Sequence, residues 1–293
     1  MPPSTQREAI SDLANPLGLD GIEFVEYATS RPQALGQVLE MMGFKPVARH
    51  RSREVLLYRQ GSMNVVINAH VGARSAAPTD TPAIAAVALR VRDAAAAYRH
   101  ALEHGAWAVP THVEVMELNI PAIHGVGASR IYFVDRYREF SIYDVDFVPI
   151  PTVERAPPAL AGLHWFGLVQ YIGNDRMEDW SEFYRELFGF DALPDEQRFG
   201  ILPKGRILRS PCQKFYLQLI EPDPGIVDVE GDESLSRVGL GTSDVVAAVK
   251  ALGARGVEFV ESSDLHSGTR GALTKSQLGG VMFELVHSER AAT

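Results

Sequence analysis

ALRVRDAAAAYRHALEHGA at residues 88–106 and GLGTSDVVAAVKALGARGV at residues 239–257 follow one plan. Each opens as an apolar strand, reaches an aspartate (Asp93, Asp244), continues as an alanine-rich helix and breaks at glycine (Gly105; Gly253 and Gly256). An aspartate there caps the helix, its carboxylate accepting a bond from an otherwise unpaired backbone N–H. A second echo, EMMGF (40–44) and ELFGF (186–190), ends two further helices. The spacing predicts four copies of one module, each a strand, a helix and two or three strands.

Working outward, copy one has a strand at GIEFVEYA (21–28) and a helix from Pro32, a favoured first-turn residue, to about Met42. Leu35, Val38, Leu39 and Met42 share one face of that helix. Strands follow at EVLLY (54–58) and MNVVINA (63–69). Copy two begins at AAVALRV (85–91), with later strands expected at IYFVD (131–135) and SIYDVDF (141–147). Copy three opens at LHWFGLVQYI (163–172); its helix carries Met177, Trp180, Phe183, Tyr184, Leu187 and Phe188, and strands follow at RILRS (206–210) and KFYLQLI (214–220). Copy four runs from RVGLGTS (237–243) to VMFELV (281–286). The segment VPIPTVERAPPALA (148–161) has linker composition. It splits the copies into two pairs, giving expected domains at 15–150 and 160–289. The fold class expected is α+β.

Composition sets the outer limits. The chain has 293 residues, 46% hydrophobic and 22% charged, with a formal charge of −9, which is globular. With no Lys/Arg cluster, nucleic acid is not an expected partner. No apolar run is long enough for a membrane span, and the first residues lack the apolar core of a secretory signal. A cytoplasmic protein acting on small molecules is the expectation. Cys212 is the single cysteine, so no intrachain disulfide forms. It has no partner base nearby in sequence, and the glycines of HGVGAS (124–129) precede a strand, where a phosphate cradle needs a helix.

Paired βαβββ modules resemble the vicinal-oxygen-chelate (glyoxalase/bleomycin resistance/dioxygenase) superfamily, in which each pair forms a cupped, incomplete barrel. NPLGLDGIEFVEYA (15–28), HRSREVLLYRQGSMNVVINA (50–69), MELNIPAIHGVG (116–127), SIYDVDF (141–147) and AGLHWFGLVQYIGNDRMEDWSEFYRELFGF (161–190) further resemble the 4-hydroxyphenylpyruvate dioxygenases. The resemblance implies a structural first domain and a second domain holding Fe(II) through two His and one Glu, leaving positions for a 2-oxo acid and O₂. It also implies a small aromatic or 2-oxo acid ligand and a possible homodimer.

Carried over residue by residue, the resemblance puts the Glu at Glu284 in GGVMFELVHS (279–288). The first His position, sixteen residues before Phe183, is Gly167, and the second is Arg237. Glycine offers no donor, and a guanidinium has no lone pair for a metal. No cofactor is therefore expected; Fe(II) belongs to the alternative, a working dioxygenase with shifted ligands. Side-chain alternation puts His164 on the opposite strand face from Gly167 unless a bulge turns it inward. The other histidines (His50, His70, His100, His104, His112, His124, His266, His287) read as solvated or structural. The family's long insertion before its last strands is short here, its terminal helix is not matched in the nine residues after Glu284, and its substrate-orienting Asn aligns with Ile220.

The expected pocket thus comprises Arg237, Glu284, Gly167, Trp165 and Gln218. Arg237 is expected to replace the metal and neutralise Glu284 through a forked pair of hydrogen bonds. One reading makes that pair purely stabilising; the other makes Arg237 the holder of a ligand carboxylate. In the first half, Glu23 and Glu26 with Asp144 and Asp146 form an acidic set whose expected role is structural.

Overall fold

The computed structural model describes residues 15–69, 80–110, 118–194, 205–222, 233–261 and 270–289. The first copy comprises β1 (Ile22–Ala28), α1 (Pro32–Met41), β2 (Lys45–His50), β3 (Val55–Gln60) and β4 (Met63–Asn68). The second comprises β5 (Ala83–Arg90), α2 (Ala94–Glu103), β6 (Ala122–His124) and β7 (Arg130–Val134), followed by α3 (Ile142–Asp146) and β8 (Phe147–Pro149). The third has β9 (His164–Tyr171), α4 (Met177–Phe188), β10 (Asp191–Ala192), β11 (Arg206–Arg209) and β12 (Tyr216–Ile220). The fourth has β13 (Ser234–Thr242), α5 (Val245–Gly253), β14 (Gly271–Leu273) and β15 (Phe283–His287).

Helix termini form as the residues dictate. Asp93 accepts from Ala96 N–H and Asp244 from Ala247 N–H, each at 2.8 Å. At the end of α4, Gly189 turns the chain at φ +75°, a conformation that costs glycine nothing.

The strands form two mixed sheets ordered β6-β7-β5-β1-β4-β3-β2-β8 and β10-β11-β12-β9-β13-β15-β14. The repeat is visible in the pairing. In the first sheet β1–β4 and β5–β7 run parallel about an antiparallel β1–β5 seam; β9–β12, β13–β15 and β9–β13 reproduce this in the second. In copies two and four the first post-helix strand shrinks to a single bridge, Ala108↔Ile123 and Phe259↔Thr274. This is the expected α+β class.

One expected strand is not one. SIYDVDF forms α3 and then turns into β8, which pairs with β2. Asp144 accepts bonds from Ser141 N–H and Ser141 Oγ–H (2.8 and 2.9 Å), starting a helix where alternation alone reads as strand. Asp144 and Asp146 therefore do not sit on a last strand.

The two sheets share one hydrophobic core, joined for example by Phe133 and Phe188 with ring centroids 6.2 Å apart. Arg255 beyond α5 donates to the carbonyls of Glu40 and Met41 (2.7 and 3.1 Å), satisfying orphan acceptors at the end of α1. The linker is anchored too: Gly61 N–H donates to Pro157 O and Leu160 N–H to Gln60 Oε1, both at 2.8 Å.

Candidate functional site

The concave face of the second sheet is built on three adjacent strands. Gly239 on β13 stands in register with Gly167 on β9 and with Glu284 on β15. Arg237 lies two residues earlier on β13, so the pleat gives it the same face. Gln218 on β12 pairs with Val169, and Gln218, Gly167 and Glu284 line one small cavity. Its volume is about 30 Å³, the share of a single water in the liquid. Phe166 and Tyr216 stack across it with centroids 5.0 Å apart.

Register explains why Trp165 is not there. Across β9–β13 the pairing runs Gly239↔Gly167 and then Leu240↔Trp165, leaving Phe166 as an extra residue in β9. Such a bulge re-aims the side chains before it. Phe166 enters the cavity in place of Trp165, which is buried in the hydrophobic core instead. The expected place of Trp165 in the pocket is therefore corrected.

The same bulge turns His164 toward the face that holds Glu284. Its ring stands over Gly241, where any Cβ would collide with it. His164 is level with Gly241, its Nδ1 is 3.1 Å from Gly162 O, and its Nε2 is 3.2 Å from Ser288 Oγ.

Gly167 is held tighter than a vacant ligand position would be. A Cβ built there would overlap the carbonyl oxygen of Tyr216 and stand 3.0 Å from its carbon. The obstacle is backbone of the neighbouring strand, which cannot swing aside. Position 167 in this backbone accepts no histidine.

Arg237 is 4% exposed, and its Nε and Nη2 are buried without a hydrogen-bond partner. Its Cζ lies 6.0 Å from the centre of the Tyr171 ring. A forked pair uses two guanidinium nitrogens, so at least one of Nε and Nη2 would have to take part. The expected forked pair with Glu284 is therefore not formed. Glu284 is 4% exposed and has interactions of its own. Unpaired buried donors each cost about 1–3 kcal/mol.

The donor set can now be tested against the family iron. Three lone-pair donors must converge, and the three positions hold Gly167, Arg237 and Glu284: one carboxylate, one cation and one residue with no space for a side chain. Among the described residues no group of three His, Cys, Asp or Glu is placed to hold a metal. Of the three positions that the resemblance implies, Glu284 alone carries a side chain able to ligate a metal.

The first-half acids serve the fold. Glu23 pairs with Arg90 (Oε2–Nε 2.5 Å) and accepts from Asn64 (3.2 Å). Asp144 caps α3, and hydrogen bonds from Ser141 hold its carboxyl below the usual range. Asp146 accepts from Leu118 N–H at 3.1 Å. Glu26 differs: burial pushes its carboxyl up against the opposing pull of an Asn68 hydrogen bond and the charges of Arg130 and Arg53. Cys212 lies 3.3 Å from Ser210 Oγ, which is no base. His70, His112 and His266 fall outside the described residues.

A family model for hydroxyphenylpyruvate dioxygenase, N-terminal, matches residues 13–148. The chain is 36% identical over 273 residues to hemolysin VllY of Vibrio vulnificus, covering 87% of this chain and 76% of that protein. It is 34% identical over 272 residues to a 4-hydroxyphenylpyruvate dioxygenase of Pseudomonas aeruginosa, covering 86% and 74%. A solved variant of 4-hydroxymandelate synthase from Streptomyces coelicolor has the same fold, with TM-score 0.72 and 18% identity across 94% of both chains.

Proposed function

Since the chain belongs to the 4-hydroxyphenylpyruvate dioxygenase family, we propose that this member binds or converts a small aromatic or 2-oxo acid without the family iron, with Arg237 holding the acid's carboxylate. The observation that carries the reading is the buried guanidinium with Nε and Nη2 unpaired. Those two nitrogens lie in one plane, and a carboxylate matches them with two parallel N–H···O bonds. Tyr171 beside the guanidinium supplies an aromatic surface for the rest of the acid.

The acid does not fit a cavity of about 30 Å³. Arg237 does not line that cavity, so an acid held by it that also reaches Glu284 requires the Phe166–Tyr216 stack to open. Titration calorimetry with 4-hydroxyphenylpyruvate in excess chelator tests the proposal. The expected result is saturable binding in wild type and none in Arg237→Gln. Equal affinity in the two proteins would refute it.

A second reading keeps the family chemistry with shifted ligands. It is favoured by the bulge at Phe166, which turns His164 to the Glu284 face. It predicts Fe(II) bound through Glu284 and His164, and oxygen uptake with 4-hydroxyphenylpyruvate that His164→Gln abolishes.

A further inference from the structure

The concave face of the first sheet holds more space than that of the second. It encloses a cavity of about 200 Å³, against about 30 Å³ on the other side. A cavity of about 150 Å³ accommodates benzene, so the first has room for one aromatic ring and a short substituent.

Its walls divide by chemistry. One side is apolar, with Phe24 from β1, Val66 from β4, and Ile142 and Phe147 from α3 and β8. Phe24 lies 5.9 Å from Tyr132, and Tyr143 lies 5.6 Å from Phe147, ring centre to ring centre. These spacings leave edges and faces for a further ring to pack against. The other side is polar. Glu26 (7% exposed) accepts from Asn68 Nδ2 at 3.0 Å, and Arg130, Tyr132 and Arg53 complete it.

The charges do not balance in favour of a cation. Burial raises the Glu26 carboxyl's pKa despite the hydrogen bond and both arginines, so it resists carrying the charge that would offset them. Arg130 makes one long bond, from Nη1 to Tyr132 Oη at 3.5 Å, and that is a weak commitment for a guanidinium. Asp146, the other acid in the wall, accepts the Leu118 N–H and offsets one of the two arginines, which leaves the second arginine for an anion.

We propose that this cup is a second ligand site, taking a single-ring aromatic carboxylate whose ring lies against Phe24 and Val66 and whose carboxylate meets Arg130. The site is separate from Arg237: it lies on the other sheet, and none of its lining residues is shared.

The test is titration of the full chain with 4-hydroxybenzoate near neutral pH, in chelator. In the Arg237→Met background, which removes the proposed site on the second sheet, one equivalent is expected to bind. Arg130→Gln is expected to weaken binding by about tenfold or more, the value of a charge-assisted bond. Val66→Phe fills the cavity and is expected to abolish binding; circular dichroism establishes whether that variant is folded, and Arg130→Gln carries the test if it is not. Absence of wild-type binding at millimolar probe would overturn the proposal. So would binding that Arg237→Met abolishes and Arg130→Gln does not.

Discussion

Replacing Arg237 with methionine is expected to stabilise the protein while removing its response to acid ligands. Arg237 is 4% exposed with Nε and Nη2 unpaired. Each buried, unsatisfied donor costs about 1–3 kcal/mol, and an unbranched apolar side chain fills irregular space well. Against that gain stands the contact with Tyr171, 6.0 Å from Cζ to ring centre, a cation–π geometry worth about 0.5–2 kcal/mol. The two donors less that contact leave a stabilisation of about 0–5 kcal/mol, with a middle value near 3. At about 2–4 °C per kcal/mol for a large chain, Tm is expected to rise by several degrees. The assay is thermal unfolding with and without phenylpyruvate. Wild type is expected to gain Tm with the acid, and Arg237→Met to start higher and gain nothing. A variant that melts several degrees lower would mean that Arg237 offsets the charge of Glu284 after all. That result would refute the reasoning from its unpaired nitrogens.

Gly167→Ala is expected to cost about 1–3 kcal/mol in urea unfolding, because the new Cβ overlaps the Tyr216 carbonyl; a neutral effect would show that the backbone there yields easily. Glu26 makes stability depend on pH. Its folded-state carboxyl titrates above its ordinary value of 4.5, so the folded state holds the proton more tightly and stability falls as pH rises from that value through the raised one. Glu26→Gln removes the slope, so wild type and variant compared at mildly acidic and mildly alkaline pH are expected to diverge at the alkaline end. Asp93→Ala and Asp244→Ala are each expected to cost about 1 kcal/mol by uncapping α2 and α5; chemical denaturation checks both, and an unchanged midpoint would contradict the capping role. Phe166→Ala opens the stack over the small cavity and is expected to tighten binding of 4-hydroxyphenylpyruvate, whereas weaker binding would mean that Phe166 itself contacts the acid.

The fold was legible where a residue acts locally. Asp93 and Asp244 cap because their own carboxylates reach N–H groups three residues on, and the strand–helix–strand order follows from such signals. SIYDVDF reads as a strand because apolar Tyr143, Val145 and Phe147 alternate with Asp144 and Asp146, although the S-x-x-D pattern at Ser141 and Asp144 announces a helix start. The site was less legible. Sequence places Glu284, Arg237 and Gly167 on neighbouring strands, but the bulge at Phe166 exists only in the pairing of β9 with β13. That pairing sends Trp165 into the core and His164 to the opposite face from the one alternation assigns. Nor does sequence reveal that the strand carrying Tyr216 closes on Gly167, or that the first sheet encloses the larger cavity. These depend on distances between segments far apart in the chain.

Iron stoichiometry with oxygen uptake most directly tests the proposal that the site around Glu284 works without the family iron. The protein is reconstituted anaerobically with Fe(II), desalted, analysed for metal, and then given 4-hydroxyphenylpyruvate in an oxygen electrode. The account predicts iron near zero per chain, no substrate-dependent oxygen uptake, and acid binding that survives chelator. One iron per chain, with oxygen uptake that Glu284→Gln abolishes, would contradict it.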